Sequence, residues 1–344
     1  MCYNIFMNSH FLQSKSWETF LSEKENKKTF RVLENSPEET LAVLEKTPLG
    51  NYLFCPYGPT VLKKPVLSAL KSLAKANNCF FLRLEPLEKL SPKKIKNYHL
   101  LPSKHINPAD TWLLDLTPEK ETLLTNFSQG TRTRYNTFSK KGLSVRISTD
   151  PKDIKYLNRL QSKLAKEKGI NTFEGDYLKH ELEMPFSSLY LVEYSPKASP
   201  SDPSSNNQPI SPNNQSSSSN QPSPKPKIIA ASLFFDDLEN KTRFYMQSAA
   251  DSDYKKLHAT VALLSTSIFD AKEKGLNFFD FWGIAPANAG KNHPWAGFTA
   301  FKKSFGGFER NYAGTFDLPL NKPKYLLYKL LRRLNLLKRK ILKA

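Results

Sequence analysis

The alternation of apolar and polar positions divides the chain into short strands and amphipathic helices. In the first half, residues 51–59 (NYLFCPYGP) predict a strand that ends in a Pro/Gly turn. Leu67, Leu70 and Leu73 recur at helical spacing within 65–76, and 78–86 (NCFFLRLEP) predict the next strand. A strand over 110–116, a helix over 117–127 capped by Thr117, a basic helix over 130–141 and a strand over 143–147 follow. In the second half, 188–194 (SLYLVEY), 227–235 (KIIAASLFF) and 243–247 (RFYMQ) are rich in β-branched and aromatic residues and read as strands. Leu257, Val261, Leu264, Ile268 and Ala271 then form one apolar stripe of a helix over 252–274, with Gly275 at its C-terminal cap. The run 276–282 (LNFFDFW) reads as a buried strand.

This β-β-β-α-β order is that of an acyltransferase-like α/β half, and the first half mixes strands and helices in similar order. Two copies of one α/β unit are expected, over 1–148 and 149–320, followed by a basic amphipathic segment over 321–344. Residues 195–227 are almost all Ser, Pro, Asn, Gln and Lys and have nothing to bury. They read as a disordered, overgrown hairpin loop inside the second domain, with an interdomain linker as the alternative.

Composition narrows the partners. The chain has 344 residues, of which 39% are hydrophobic, enough to bury a sizeable core and to exclude wholesale disorder. Lys and Arg total 51 against 32 acidic residues, a formal charge of +19. That excess favours nucleic acid, a phosphate-bearing substrate or an anionic membrane; a merely soluble surface is the plainer explanation. Cys2, Cys55 and Cys79 form no CxxC pair, and the six histidines are scattered without i, i+3 or i+4 pairs. A disulfide framework and a metal site are therefore not expected. No basic stretch followed by an apolar one opens the chain, and no run reaches the roughly 18 apolar residues of a membrane span, so a cytoplasmic location is expected. There is no GxSxG elbow, no phosphate-binding GxxxxGK[ST] loop, and no Gly-rich turn of the kind that cradles the pyrophosphate of coenzyme A.

The candidate chemistry lies between Tyr245 and Gly314. Asp280 and Trp282 stand at a strand end, where α/β folds place ligand groups; a carboxylate capping the next turn is the structural alternative. The sequence FKKSFGG sets Lys302 and Lys303 among phenylalanines, followed by Gly306 and Gly307. Lysines here can neutralise developing negative charge, and paired glycines allow close backbone approach to a ligand. A solvated surface loop accounts for the same residues.

These segments resemble the Fem-type (FemA/FemB/FemX) aminoacyltransferases that build peptidoglycan cross-bridges. The resemblance is carried by Ala271-Lys272…Gly275, Asp280-Phe281-Trp282-Gly283-Ile284, Gly297…Phe301-Lys302…Phe305-Gly306-Gly307 and Tyr312-Ala313-Gly314. Upstream, FLQSKSW (11–17), FCPYGP, RLEP (83–86), NPADTWLLDL (107–116) and TRTRYNTFSKKGLSV (131–145) are similar in the same order. The resemblance implies two tandem GNAT-like domains with mixed sheets, of the smaller type without a helical arm. It implies an aminoacyl-tRNA donor as co-substrate, no cofactor, and an amine on the stem peptide of a peptidoglycan precursor (lipid II or a UDP-linked muropeptide) as acceptor. Lys302 matches the lysine that stabilises charge at the aminoacylated tRNA end, with Phe301 packed beside it. Lys255 is the nearest match to a phosphate-binding arginine, while the family's other phosphate-binding lysine falls on Leu21, which departs from the pattern. Tyr245, Asp280, Trp282, Gly306, Gly307 and Arg134 complete the expected substrate-contacting set. A monomer is expected.

In the tail, Leu327, Leu330, Leu334, Leu337 and Ile341 line one helical face, and 322–344 hold nine basic residues and no acidic one. Such a helix suits an anionic membrane surface, an RNA backbone, or packing on the protein itself, and peripheral attachment at the inner face of the plasma membrane is expected. Two other functions fit the residues: a GNAT-fold acyltransferase with a thioester donor, and a non-enzymatic RNA- or membrane-binding protein.

Overall fold

The computed structural model of the chain describes residues 9–169, 172–173, 176–196 and 226–341. Its strands are β1 (Thr29–Val32), β2 (Thr40–Thr47), β3 (Gly50–Cys55), β4 (Cys79–Leu84), β5 (Leu101–Pro102), β6 (Asp110–Asp115), β7 (Leu143–Ser148), β8 (Ser187–Tyr194), β9 (Lys227–Asp237), β10 (Thr242–Ala250), β11 (Phe278–Gly283), β12 (Phe308–Asn311) and β13 (Phe316–Pro319). The helices are α1 (Lys15–Thr19), α2 (Lys64–Ala76), α3 (Pro92–Asn97), α4 (Lys120–Asn126), α5 (Gln129–Thr137), α6 (Ile154–Lys168), α7 (Tyr177–Leu182), α8 (Ala259–Glu273), α9 (Ala296–Lys303) and α10 (Lys322–Ile341).

Two mixed sheets repeat one plan. The first has the order β1-β2-β3-β4-β13-β5 and the second β12-β6-β11-β10-β9-β8-β7. In each, an antiparallel run meets a single parallel step, β3 with β4 and β10 with β11. A helix makes the crossover each time, α2 in the first and α8 in the second. Beyond the parallel step comes a strand borrowed from elsewhere in the chain: β13 pairs with β4, and β6 with β11. The fold is thus two tandem α/β units with mixed sheets, as expected, and the two exchange strands.

That exchange corrects the division at 148/149. Strands β6 and β7, from the first segment, pair in the second sheet, and β13, from the second segment, completes the first. Sequence periodicity identifies a strand but not the sheet that receives it. Other expectations shift locally. The helix read over 252–274 is a 3-10 stretch, Ser252–Leu257, then His258 at φ 56, then α8. The polar run SDYKK offers no apolar stripe to hold the first turn as α-helix. Thr117 does not cap α4, because its N–H and hydroxyl both donate to Asp115 Oδ1 (2.9 and 2.7 Å). The basic helix ends at Thr137, and a 3-10 turn with Gly142 at φ 77 leads into β7. Gly275, at φ 75, does stand just beyond α8. Strands β8 and β9 pair antiparallel up to Tyr194 with Lys227, so the Ser/Pro-rich insert joins neighbours of one sheet; its residues 197–225 lie outside the described residues.

The second sheet is buried on both faces. Leu189, Leu191 and Phe235 pack under the opening segment, with Phe11, Trp17 and Phe20, and against α6. Tyr190, Val192 and Phe234 pack on the other face under α8. This explains why β8 and β9 read as nearly continuous apolar runs. The first sheet packs its own core against α2 through Leu53, Val66, Leu70 and Leu82.

One buried ion pair holds the borrowed strand. Arg83 of β4 donates to Asp317 of β13 through Nε (2.7 Å) and Nη2 (2.9 Å), with both side chains almost fully buried. The Tyr325 hydroxyl of α10 also donates to Asp317 (2.9 Å). Replacing Asp317 with Ala strands a buried guanidinium, and the expected loss is about 3–5 kcal/mol of unfolding free energy. Urea denaturation measures it; a loss under about 1 kcal/mol would mean that water reaches Arg83 and the pair does not hold β13.

Candidate functional site

The site grows from the place where β10 and β11 part. Their pairing runs from Thr242 with Phe278 to Phe244 with Asp280. On the other side, the register between β11 and β6 breaks between Asp280 and Gly283. At that break Trp282 takes φ 66, a left-handed conformation rare for a bulky side chain. Asp280 holds the turn, its Oδ1 accepting from the Trp282 N–H (2.7 Å). The turn aims the Gly283 carbonyl at α9, where it accepts from Lys302 Nζ (2.5 Å).

A cavity of about 450 Å³ opens here. Residues 105–110 form one wall, Trp282–Ile284 a second, and Trp295, Phe298 and Lys302 a third. Trp295 and Phe298 are 44% and 62% exposed, whereas Lys302 is 8% exposed. Burial pulls the Lys302 ammonium down to about 8, and the Asp280 carboxylate opposes that shift. Asp280 is fully buried, and burial pushes it up to about 6 against the pull of the Trp282 N–H, Arg310 and Lys302. An ammonium with three N–H groups, one spent on a neutral carbonyl, keeps two donors for a ligand.

The wall at 105–110 is clamped from behind by Glu85. Its carboxylate accepts from the N–H groups of Ile106 (3.3 Å) and Asn107 (3.2 Å), the Asn107 amide (2.7 Å) and the Thr315 hydroxyl (2.8 Å). Tyr57 adds a hydrogen bond to the Pro108 carbonyl (2.7 Å) and stacks on His10 at 3.9 Å. His10 Nδ1 accepts from the Leu12 N–H (3.1 Å), and burial drives the ring well below its usual pKa, so it is neutral with its hydrogen on Nε2. His10 Nε2 and Arg310 Nη1 are buried without a hydrogen-bond partner among the described residues.

Of the expected site residues, the structure brings together Lys302, Asp280 and Trp282. The two readings of Asp280 merge, since the carboxylate caps a turn and the turn builds the site. Phe301 faces away, packing on Phe305 at 5.4 Å in the core beside α8. Tyr245 lies on that same core side, against Phe234 at 5.6 Å. Gly306 and Gly307 serve backbone packing: at φ 77 and 97 they bring the chain onto β6, where a Cβ on Gly307 would stand 2.2 Å from the Leu113 carbonyl oxygen. Trp112 Nε1 donates to the Gly306 carbonyl (2.7 Å) and closes that contact. Lys255 is exposed on the 3-10 turn and does not line the cavity. Arg134 sits on α5, close enough for its charge to lower the pKa of His258. His10, Tyr57, Arg310 and the clamping role of Glu85 escaped the reading of the sequence; RLEP was the only signal near Glu85.

Residues 197–333 match the model of the FemAB family. Among solved structures, the chain is similar to FemX, at 17% identity and a TM-score of 0.73 over 92% of this chain and 94% of that one. It is also similar to the L-PGS of Bacillus licheniformis, at 13% identity and a TM-score of 0.55 over 94% of this chain and 98% of that one. At these identities the likeness shows a shared fold. No curated protein sequence matches the chain.

Asp280→Asn keeps the acceptor for Trp282 and removes the charge that supports the ammonium. Any process that needs protonated Lys302 should then lose its alkaline limb at a lower pH than the wild type, whose limb is expected near 8. Because the folded pKa of Asp280 is raised, its contribution to stability is present below the unfolded value and lost as pH rises through about 6. The Asn variant should therefore melt no lower than wild type at pH 8. A lower melting temperature there would show that the charge, and not only the acceptor oxygen, holds the turn.

Proposed function

We propose that the chain, residues 197–333 of which match the FemAB family model, is a Fem-type acyltransferase that moves an aminoacyl group from tRNA to an amine on a peptidoglycan precursor. The acceptor is the stem peptide, lipid-linked or nucleotide-linked, and the product is a cross-bridge residue. The observation that carries this reading is a buried ammonium at the rim of an aromatic-mouthed cavity, where the two parallel strands part.

The chemistry is aminolysis of an ester. The neutral acceptor nitrogen attacks the ester carbonyl and a C–N bond forms. The carbonyl oxygen takes the negative charge, the bond to the ribose oxygen breaks, and the proton lost by nitrogen leaves on that oxygen. Lys302 offers two free N–H groups to the oxyanion, and its place in α9 is fixed before the reaction begins. Trp295 and Phe298 suit stacking of the unpaired bases at a tRNA end, a contact tolerant of sequence. Glu85 and Tyr57 keep the opposite wall in place, so the two reactants meet in one geometry. The reaction as written needs no cofactor.

The test is incubation of the purified chain with a pool of charged tRNAs and muropeptide acceptors, read by mass spectrometry. One or more aminoacyl increments on the acceptor, dependent on tRNA, are expected. Lys302→Ala should lower transfer by about 10²–10³-fold, the scale for removing one oxyanion donor, while circular dichroism stays unchanged. Turnover with a coenzyme A thioester and none with charged tRNA would overturn the donor, and full activity of the Ala variant would overturn the role of Lys302.

A further inference from the structure

Helix α10 touches the body by one side only. Tyr325 is buried against Phe81 with ring centroids 5.4 Å apart, and Tyr328 lies 5.7 and 5.3 Å from Phe80 and Phe81. At 100° per residue, Leu326, Leu327, Leu330, Leu331 and Leu334 fall on the half of the helix opposite those tyrosines. They are 67%, 46%, 54%, 40% and 46% exposed. The expected stripe named Leu327, Leu330 and Leu334; the structure adds Leu326 and Leu331, while the side chains of Leu337 and Ile341 lie outside the described ones. Among the described residues, none covers the leucine face over 326–334, so packing on the protein itself, one of the three uses the sequence left open, is not seen there.

The flanks of this face are basic. Lys329 reaches back over the Tyr325 ring at 5.9 Å, and Arg332 Nη1 lies 3.4 Å from the Tyr328 hydroxyl. Beside the helix, a groove of about 620 Å³ is lined by Lys71, Lys75 and Lys324. Through Lys71 it continues into a second groove, lined by Lys64, Lys93 and Lys96 between α2 and α3. None of these six lysines pairs with a carboxylate among the described residues. Exposed leucines on α10 thus stand next to a groove of unpaired cations at Lys71, Lys75 and Lys324.

We propose that this face docks on an anionic lipid bilayer, with α10 lying in the plane of the interface. The leucines enter the boundary between headgroups and acyl chains, and the basic residues of α10, with Lys71 and Lys75 in the groove beside it, meet lipid phosphates. An RNA backbone would satisfy the lysines but leave five leucines in water. A second copy of the chain would bury the leucines but bring two strongly cationic helices together. A bilayer with negative headgroups satisfies both sets at once. No helix among the described residues is long and apolar enough to cross a membrane, so the contact is peripheral. The surface stands apart from the donor and acceptor proposed above.

Flotation of the full chain with vesicles tests it, using phosphatidylcholine alone and phosphatidylcholine mixed with phosphatidylglycerol. The chain should float with the mixed vesicles, and about tenfold less with the neutral ones. The triple variant Leu326→Ser, Leu330→Ser, Leu334→Ser should bind mixed vesicles about 10²-fold more weakly, with unchanged melting because these side chains are exposed. Equal flotation of variant and wild type, or none by either, overturns the proposal. So does a wild-type dimer in sedimentation that the variant abolishes, which would assign the face to a second copy. Weaker tRNA binding by the variant with flotation intact would assign it to RNA. Transfer to a soluble acceptor, measured on both proteins, separates this surface from the chemistry: flotation without transfer leaves the surface standing and removes the proposed reaction.

Discussion

A buried ammonium that has one neutral acceptor imposes the order of this site. Lys302 is held out of water with the Gly283 carbonyl as its one acceptor among the described residues, and a charge so placed is costly unless its surroundings are fixed. The carbonyl is aimed by a left-handed turn at Trp282, the turn is pinned by Asp280, and Asp280 is itself buried at the end of β11. Each element depends on the next, and together they leave two N–H groups of one lysine pointing where a ligand can enter. An exposed lysine on a loop would cost less and would stabilise an oxyanion less, because water would share the charge.

The strand exchange explains why this arrangement is rigid. Strand β6 comes from the first half of the chain and is the neighbour of β11, so the loop 105–110 that leads into it becomes a wall of the cavity. Strand β13 returns from the second half into the first sheet, locked by Arg83, Asp317 and Tyr325. The two units cannot separate without breaking both sheets. The Glu85 network lies between these crossings and accepts from Asn107 on one side and Thr315 on the other. The cavity is therefore built from both halves of the chain.

The same logic places α10. It follows β13 directly, so the strand that completes the first sheet also fixes the helix on β4 through Tyr325 and Tyr328. Its leucines face outward because the tyrosines take the only side the body can cover.

Local patterning determined a good deal by itself. Apolar runs at 188–194 and 227–235 named β8 and β9, because a strand buried on both faces must be apolar throughout. The stripe from Val261 to Ala271 marked α8, and Gly275 marked its end, since both follow from periodicity and backbone sterics within one segment. Asp280 and Lys302 were each legible as a charge set among aromatics, and only the structure brought the two together. The tertiary structure alone decided which strands share a sheet, because pairing partners 100 or more residues apart leave no trace in local periodicity. It decided that Phe301, Tyr245, Gly306 and Gly307 pack or turn the chain while His10 and Tyr57 back the wall at 105–110 and Arg310 acts on Asp280, since a side chain's direction depends on the element it joins. It also decided the fate of the C-terminal leucines: amphipathicity says that a helix has an apolar face, and only the packing of its other side says whether that face is covered.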